Sequence, residues 1–127
     1  MDDLVGVEIE QRSNEVVIAR LTGELDISAA AKTGDRIAAA VSSSARGLVV
    51  DLSRLEFMDS SGVSMLFSLA RQVGSHRQQL RVVAPPGRPV SRVLQIVEFE
   101  RAAAIDHDVE SAVAGIATPQ ASPPPRG

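Results

Sequence analysis

One short stretch concentrates residue types that could do chemistry: an aspartate, two serines and a glycine in succession, Asp59-Ser60-Ser61-Gly62. Three roles suit them. Asp or Ser can cap a helix by accepting a backbone N–H that the first turn leaves without a partner. A serine can attack as a nucleophile when a base takes its proton. A hydroxyl can also accept a phosphoryl group, which brings about −1.5 to −2 charges and three acceptor oxygens.

The nucleophile reading needs a histidine oriented by a third group. The two histidines are His76, in a polar stretch, and His107, just ahead of the last helical pattern, and no G-x-S-x-G elbow is present. Metal chemistry lacks cysteines and lacks any His/Asp/Glu cluster at ligand spacing. A phosphoaspartate at Asp51, as in receiver domains, would need an acidic pair after the first strand and a late lysine. Asp2-Asp3 instead precede that strand, and the single lysine is Lys32, in the first helix. Asp51 is expected to end the third strand and to bond to the turn after it. Enzymatic turnover is therefore disfavoured.

Composition narrows the classes further. The 127 residues fit one domain. They are 44% apolar and 2% aromatic, with no Trp or Tyr, so no aromatic platform exists for stacking bases. A formal net charge of −3 steers the chain towards neither nucleic acid nor an anionic membrane. No apolar run approaches the ~20 residues of a membrane-spanning helix, and the start of the chain lacks a basic segment followed by an apolar one. No cofactor is implied, and a soluble, cytoplasmic protein is expected.

Alternating strands and helices must position the serines. Val5, Val7 and Ile9 alternate with polar or small residues, the period of a half-buried strand. Ser13-Asn14 offers a turn, and residues 15–21 form a second strand, making an antiparallel hairpin. Gly23-Glu24-Leu25-Asp26 breaks the pattern, and Asp26 or Ser28 can cap a helix with Ala30, Thr33, Ile37, Ala40 and Val41 inward. Leu48-Val49-Val50 reads as a strand covered on both faces. After the serines, Val63, Leu66, Phe67, Ala70 and Val73 recur at helical spacing, with Ser64 and Arg71 on the outer side and Gly74 placed to end the helix. A strand over residues 80–84, a helix opened by Pro89, a short strand over 102–105 and a last helix capped by Asp106 or Asp108 follow. Residues 118–127, rich in proline, predict a disordered tail after a folded unit of 1–117. The order predicts an α/β domain with a mixed sheet of four to five strands, an initial antiparallel hairpin and about four helices.

Two motifs in this order carry a resemblance. "LTGELD" at residues 21–26, followed after a helix and a buried strand by "DLSRLEFMDSSGVSMLFSLAR", resembles the anti-sigma factor antagonists, the stand-alone members of the STAS (sulfate transporter and anti-sigma antagonist) family. The similarity spans about residues 4–117 and leaves the tail outside it. It implies that Ser60, the first serine after the motif's aspartate, is the phosphorylated residue. It also implies that Asp59, Ser61 and Gly62 flank it, and that Gly23, Glu24 and Asp26 form the neighbouring loop that shares the partner-binding surface.

The resemblance further implies partner switching. The unmodified protein binds an anti-sigma factor that is itself a Ser kinase with its own ATP and magnesium, and a sigma factor is released. Phosphorylation of Ser60 breaks the complex, and a Ser phosphatase resets it. A non-switching scaffold subunit of a transporter or stress-signalling assembly is the alternative within the same family. On the residues themselves, Ser61 is expected to cap the helix with its hydroxyl and leave Ser60 free, while Ser64 is a solvated or interface position. Gly62 has two readings: room for a kinase to approach, or relief of crowding against the Gly23 loop.

Overall fold

The computed structural model describes residues 5–117; the expected tail, 118–127, lies outside the described residues. Ten elements follow one another: β1 (Val5–Gln11), β2 (Val16–Leu25), α1 (Ile27–Ala40), β3 (Gly47–Met58), α2 (Ser60–Ser75), β4 (Gln79–Val83), α3 (Pro89–Ile96), a 3-10 turn (Phe99–Arg101), β5 (Ala104–Asp106) and α4 (Val109–Ala117). The five strands form one sheet in the order β1-β2-β3-β4-β5. β1 and β2 are antiparallel, and every later pairing is parallel.

Alternation along the central strands sends side chains to two cores. Val17, Ala19 and Leu21 of β2, with Leu48, Val50 and Leu52 of β3, face α1, α2 and α3. Val16, Ile18 and Val49 face the other way, onto Ala112, Val113 and Ile116 of α4. Covered on both faces, residues 48–50 of β3 are fully buried, as a continuous apolar run requires. The aromatic content of the larger core is a single edge-to-face pair, Phe67 on Phe99, with centroids 4.9 Å apart.

Both central strands run past their expected ends. β2 continues from Leu21 to Leu25 and β3 from Val50 to Met58. Pairing with β4 stops at Asp51, so beyond it β3 is hydrogen-bonded to β2 alone. Asp51 therefore does not end its strand. It lies within β3, its side chain nine-tenths buried, with Oδ1 accepting the Ser53 N–H at 2.9 Å and Oδ2 3.9 Å from Arg20 Nε.

Three smaller expectations also change. α2 passes through Gly74 and ends at Ser75, and the backbone reverses at Arg77 with φ 61°. The short fifth strand begins two residues later than expected, because Phe99–Arg101 closes a 3-10 turn first. α2 buries Met65 and Leu69 besides the expected Val63, Leu66 and Val73, and leaves Phe67 and Ala70 half-buried, because it packs on α1 as well as on the sheet.

Candidate functional site

The continuation of β3 alongside β2, past the end of its pairing with β4, brings the two motifs together. Gly23 pairs with Leu55, Glu24 with Phe57 and Leu25 with Met58. The register shifts between Arg20 and Thr22 and again between Gly23 and Glu24. Gly23 absorbs part of this irregularity with φ 86°, a conformation that costs a side chain but not glycine. Where the strands finish, the Asp59 N–H donates to the Leu25 carbonyl at 3.2 Å. Two helices start from that junction, α1 after Asp26 and α2 after Asp59.

Asp59 is the N-cap of α2. Its Oδ1 accepts the N–H of Ser61 at 2.8 Å and of Gly62 at 3.3 Å, and its carbonyl accepts the N–H of Val63. The expectation that the Ser61 hydroxyl caps the helix is thus corrected. A carboxylate is a stronger acceptor than a hydroxyl, and from the N-cap it reaches two orphan donors at once. Ser60 occupies the first helical position, where no intrahelical bond needs its side chain. It is exposed, and its hydroxyl has no hydrogen bond among the described residues. Ser61 is half-buried at the second position and Ser64 is exposed one turn on.

Gly62 is the one buried member of the expected site. A Cβ there would press into Met58 Cγ and stand 3.1 Å from Leu25 Cδ2. Of its two readings, crowding is the one the packing supports, although the crowding groups are Met58 and Leu25 rather than Gly23 itself. The first turn of α2 lies directly on the strand ends, and glycine is what permits that approach.

α1 starts in the same way. Asp26 caps it, with Oδ1 accepting both the Ser28 N–H at 3.0 Å and the Ser28 hydroxyl at 2.7 Å. The Ser28 hydroxyl, aided by backbone N–H groups, holds the Asp26 carboxyl below its usual range. Glu24 is exposed on the strand extension and Asp26 is half-buried beside it. Between α1 and α2 runs a surface groove of about 590 Å³, lined near the junction by Ile27, Ala30, Ser61 and Ser64.

Two exposed residues of this end were not singled out from the sequence. Ile27, the first residue of α1, is 78% exposed, and Phe57, opposite Glu24, is 47% exposed. An isoleucine at a helix start and a phenylalanine between Leu55 and Met58 both read as core. Neither carries a signal in the sequence; the consecutive exposure of Glu56 and Phe57 shows only in the folded strand, which departs from alternation there.

Neither histidine makes a catalytic pair with Ser60. His76 caps the far end of α2, sixteen residues from Ser60 and so about 24 Å along the axis, and its Nδ1 bonds the Gln72 carbonyl. His107 lies in the turn between β5 and α4 and makes no hydrogen bond to Ser60. No group of three or more metal-ligating side chains occurs among the described residues. No helix among them is long and apolar enough to cross a membrane.

Comparison with known proteins agrees with this architecture. The family model of the STAS domain matches residues 7–112. An anti-sigma factor antagonist from Mycobacterium paratuberculosis is 24% identical, with a TM-score of 0.79 over 88% of this chain and 93% of its own. The Bacillus cell fate determinant SpoIIAA, in its phosphorylated form, is 26% identical, with a TM-score of 0.64 over 87% of this chain and 99% of its own. The anti-sigma factor antagonist SpoIIAA in its unphosphorylated form is 23% identical, with a TM-score of 0.66 over 87% and 96%.

Proposed function

The chain belongs to the STAS domain family, and from that premise we propose that it is an anti-sigma factor antagonist whose binding is switched off by phosphorylation of Ser60. Unmodified, it holds an anti-sigma factor with Ser kinase activity and so frees a sigma factor in the cytoplasm. The bound kinase modifies Ser60, the complex separates, and a Ser phosphatase restores the unmodified form. The chain itself turns over no substrate.

The observation that carries this reading is the division of labour at the start of α2. Asp59 does the capping, so the Ser60 hydroxyl is exposed, unengaged and free to be modified without cost to the helix. Phosphate at a helix N-terminus meets the positive end of the dipole, so the fold tolerates it. A partner packed over the same spot does not. It meets a phosphate next to Asp59, with Glu24 and Asp26 on the neighbouring strand end and helix start. A charge left unpaired in an interface costs on the order of 3–5 kcal/mol, about a hundred- to several-thousandfold in affinity. Gly23, Gly62, Ser61 and Ser64 belong to this surface in different ways: the glycines shape the junction, and the serines border the groove.

Incubation with each kinase-type anti-sigma factor of the source cell and Mg-ATP, followed by fragment mapping, tests the reading. Phosphate on Ser60 is expected. Phosphate mainly on Ser61 or Ser64, or none with any kinase, contradicts it; the last result, with Ser60 unmodified in the protein isolated from its cell, favours a scaffold role instead. Residues 118–127 take no part in the switch under this reading, so truncation after Ala117 is expected to leave partner affinity unchanged.

A further inference from the structure

Large apolar side chains are rarely left in water without a reason when they cluster. Ile27, Phe57 and Ile96 are the large hydrophobics exposed among the described residues. Two of the three belong to the Ser60 end. Ile27 stands at the mouth of the α1/α2 groove, which Ser61 and Ser64 also line. Phe57 lies three residues before Ser60 and pairs across the strand extension with Glu24. The third, Ile96, is the last residue of α3 and belongs to neither element of the junction.

The charge of the molecule gathers at the same end. Residues 22–28 and 54–64 carry four carboxylates, Glu24, Asp26, Glu56 and Asp59, against one guanidinium, Arg54, a net of −3. The whole chain has 16 acidic and 13 basic residues, also −3, so the remainder carries twelve of each sign and is balanced. Glu24 and Glu56 are exposed to solvent, and Asp26 and Asp59 are half-buried caps. An otherwise neutral domain thus presents one acidic end with two apolar side chains set within it.

We propose that Ile27 and Phe57 are the anchors of the partner interface, seated in an apolar pocket of a protein whose rim is rich in Arg and Lys. The proposal rests on the switch reading and names the chemistry of its partner. Apolar anchors supply affinity at the centre of an interface, and complementary charge at its edge sets approach and orientation. The arrangement also explains why a phosphate is effective here. It adds charge at the junction that carries both anchors, instead of at a hydrated margin. A second copy of this chain is a poor occupant, since it would bring two −3 ends together, and an anionic lipid surface is repelled for the same reason.

The test uses the kinase that phosphorylates Ser60 in the assay above, titrated with full-length variants. Phe57→Ser and Ile27→Ser are each expected to weaken its dissociation constant about tenfold or more. Ile96→Ser, the exposed apolar control, should stay within about twofold. Glu24→Lys and Glu56→Lys, both surface changes that leave the core untouched, are expected to slow association and to reduce its salt dependence. Intact wild-type binding with undiminished Phe57→Ser and Ile27→Ser overturns the anchors while leaving the switch standing. Loss of binding in Ile96→Ser to the same degree overturns them as well. Sedimentation showing a wild-type dimer that Phe57→Ser abolishes assigns the surface to a second copy and overturns the proposal. Failure of wild type to bind or be phosphorylated removes the switch reading and this inference together.

Discussion

The starts of α1 and α2 are built alike and used differently. Each follows the end of one of the paired strands β2 and β3, and each opens Asp-x-Ser with the aspartate as N-cap and the serine N–H as its donor. At the first helical position, where the backbone asks nothing of the side chain, α1 puts Ile27 and α2 puts Ser60, both exposed. At the third position the order of burial reverses the freedom: α1 has Ala29, buried but accommodated, and α2 has Gly62, which cannot gain a methyl without meeting Met58 and Leu25. The comparison shows how a capped helix start separates structure from function. The cap and third residue fix the turn, and the first residue is left to present an apolar anchor in one case and a modifiable hydroxyl in the other.

The third position should give the largest effect on stability. Gly62→Val must displace Leu25 or Met58, both buried, and is expected to cost ~1–3 kcal/mol. A denaturant midpoint shows it. The reciprocal change in α1, Ala29→Gly, opens no clash and should cost up to ~1 kcal/mol. Equal tolerance of Val at Gly62 would break the claim that α2 sits directly on the strand ends.

The caps come next. Asp59→Ala leaves the N–H groups of Ser61 and Gly62 without their acceptor and is expected to lose about 1 kcal/mol. Ser61→Ala should change little, because the Ser61 hydroxyl does not cap. If the two results were exchanged, the serine would be the cap after all.

Acid should separate the helices more subtly. The Asp26 carboxyl is depressed below its ordinary value, first by the Ser28 hydroxyl. A depressed carboxylate contributes stability that is present above the unfolded-state pKa of ~4 and is lost as pH falls through the lower folded-state value. Melting curves between about pH 7 and pH 5 should therefore show the full contribution of this cap with no pH dependence from it, and the loss should appear only below ~4. Asp26→Asn should remove that acid limb, and Ser28→Ala should move it to higher pH.

Much of this junction was legible in the sequence. The element order, the antiparallel hairpin, the two-faced strand at residues 48–50 and a capped helix at Ser60 all follow from periodicity and cap chemistry. The strand ends were not legible. Beyond Asp51 the strand β3 loses β4, and its pairing with β2 carries two register shifts, so alternation fails and residues 23–26 read as a break in the pattern. The identity of the cap was also ambiguous, since Asp59 and Ser61 are both favoured cap residues and only geometry chooses between them. Ile27 escaped notice for the opposite reason: apolar residues at a helix start suggest core, and its exposure depends on how α1 leaves the strand.

The central claim is that one exposed hydroxyl at the start of α2 switches binding through surface charge, with the fold left in place. Calorimetric titration of the kinase with the unmodified chain and with the chain stoichiometrically phosphorylated on Ser60 tests it most directly. The account predicts an affinity loss on the order of a hundredfold or more. Equal affinity of the two forms would contradict it, since the phosphate would then stand outside the interface.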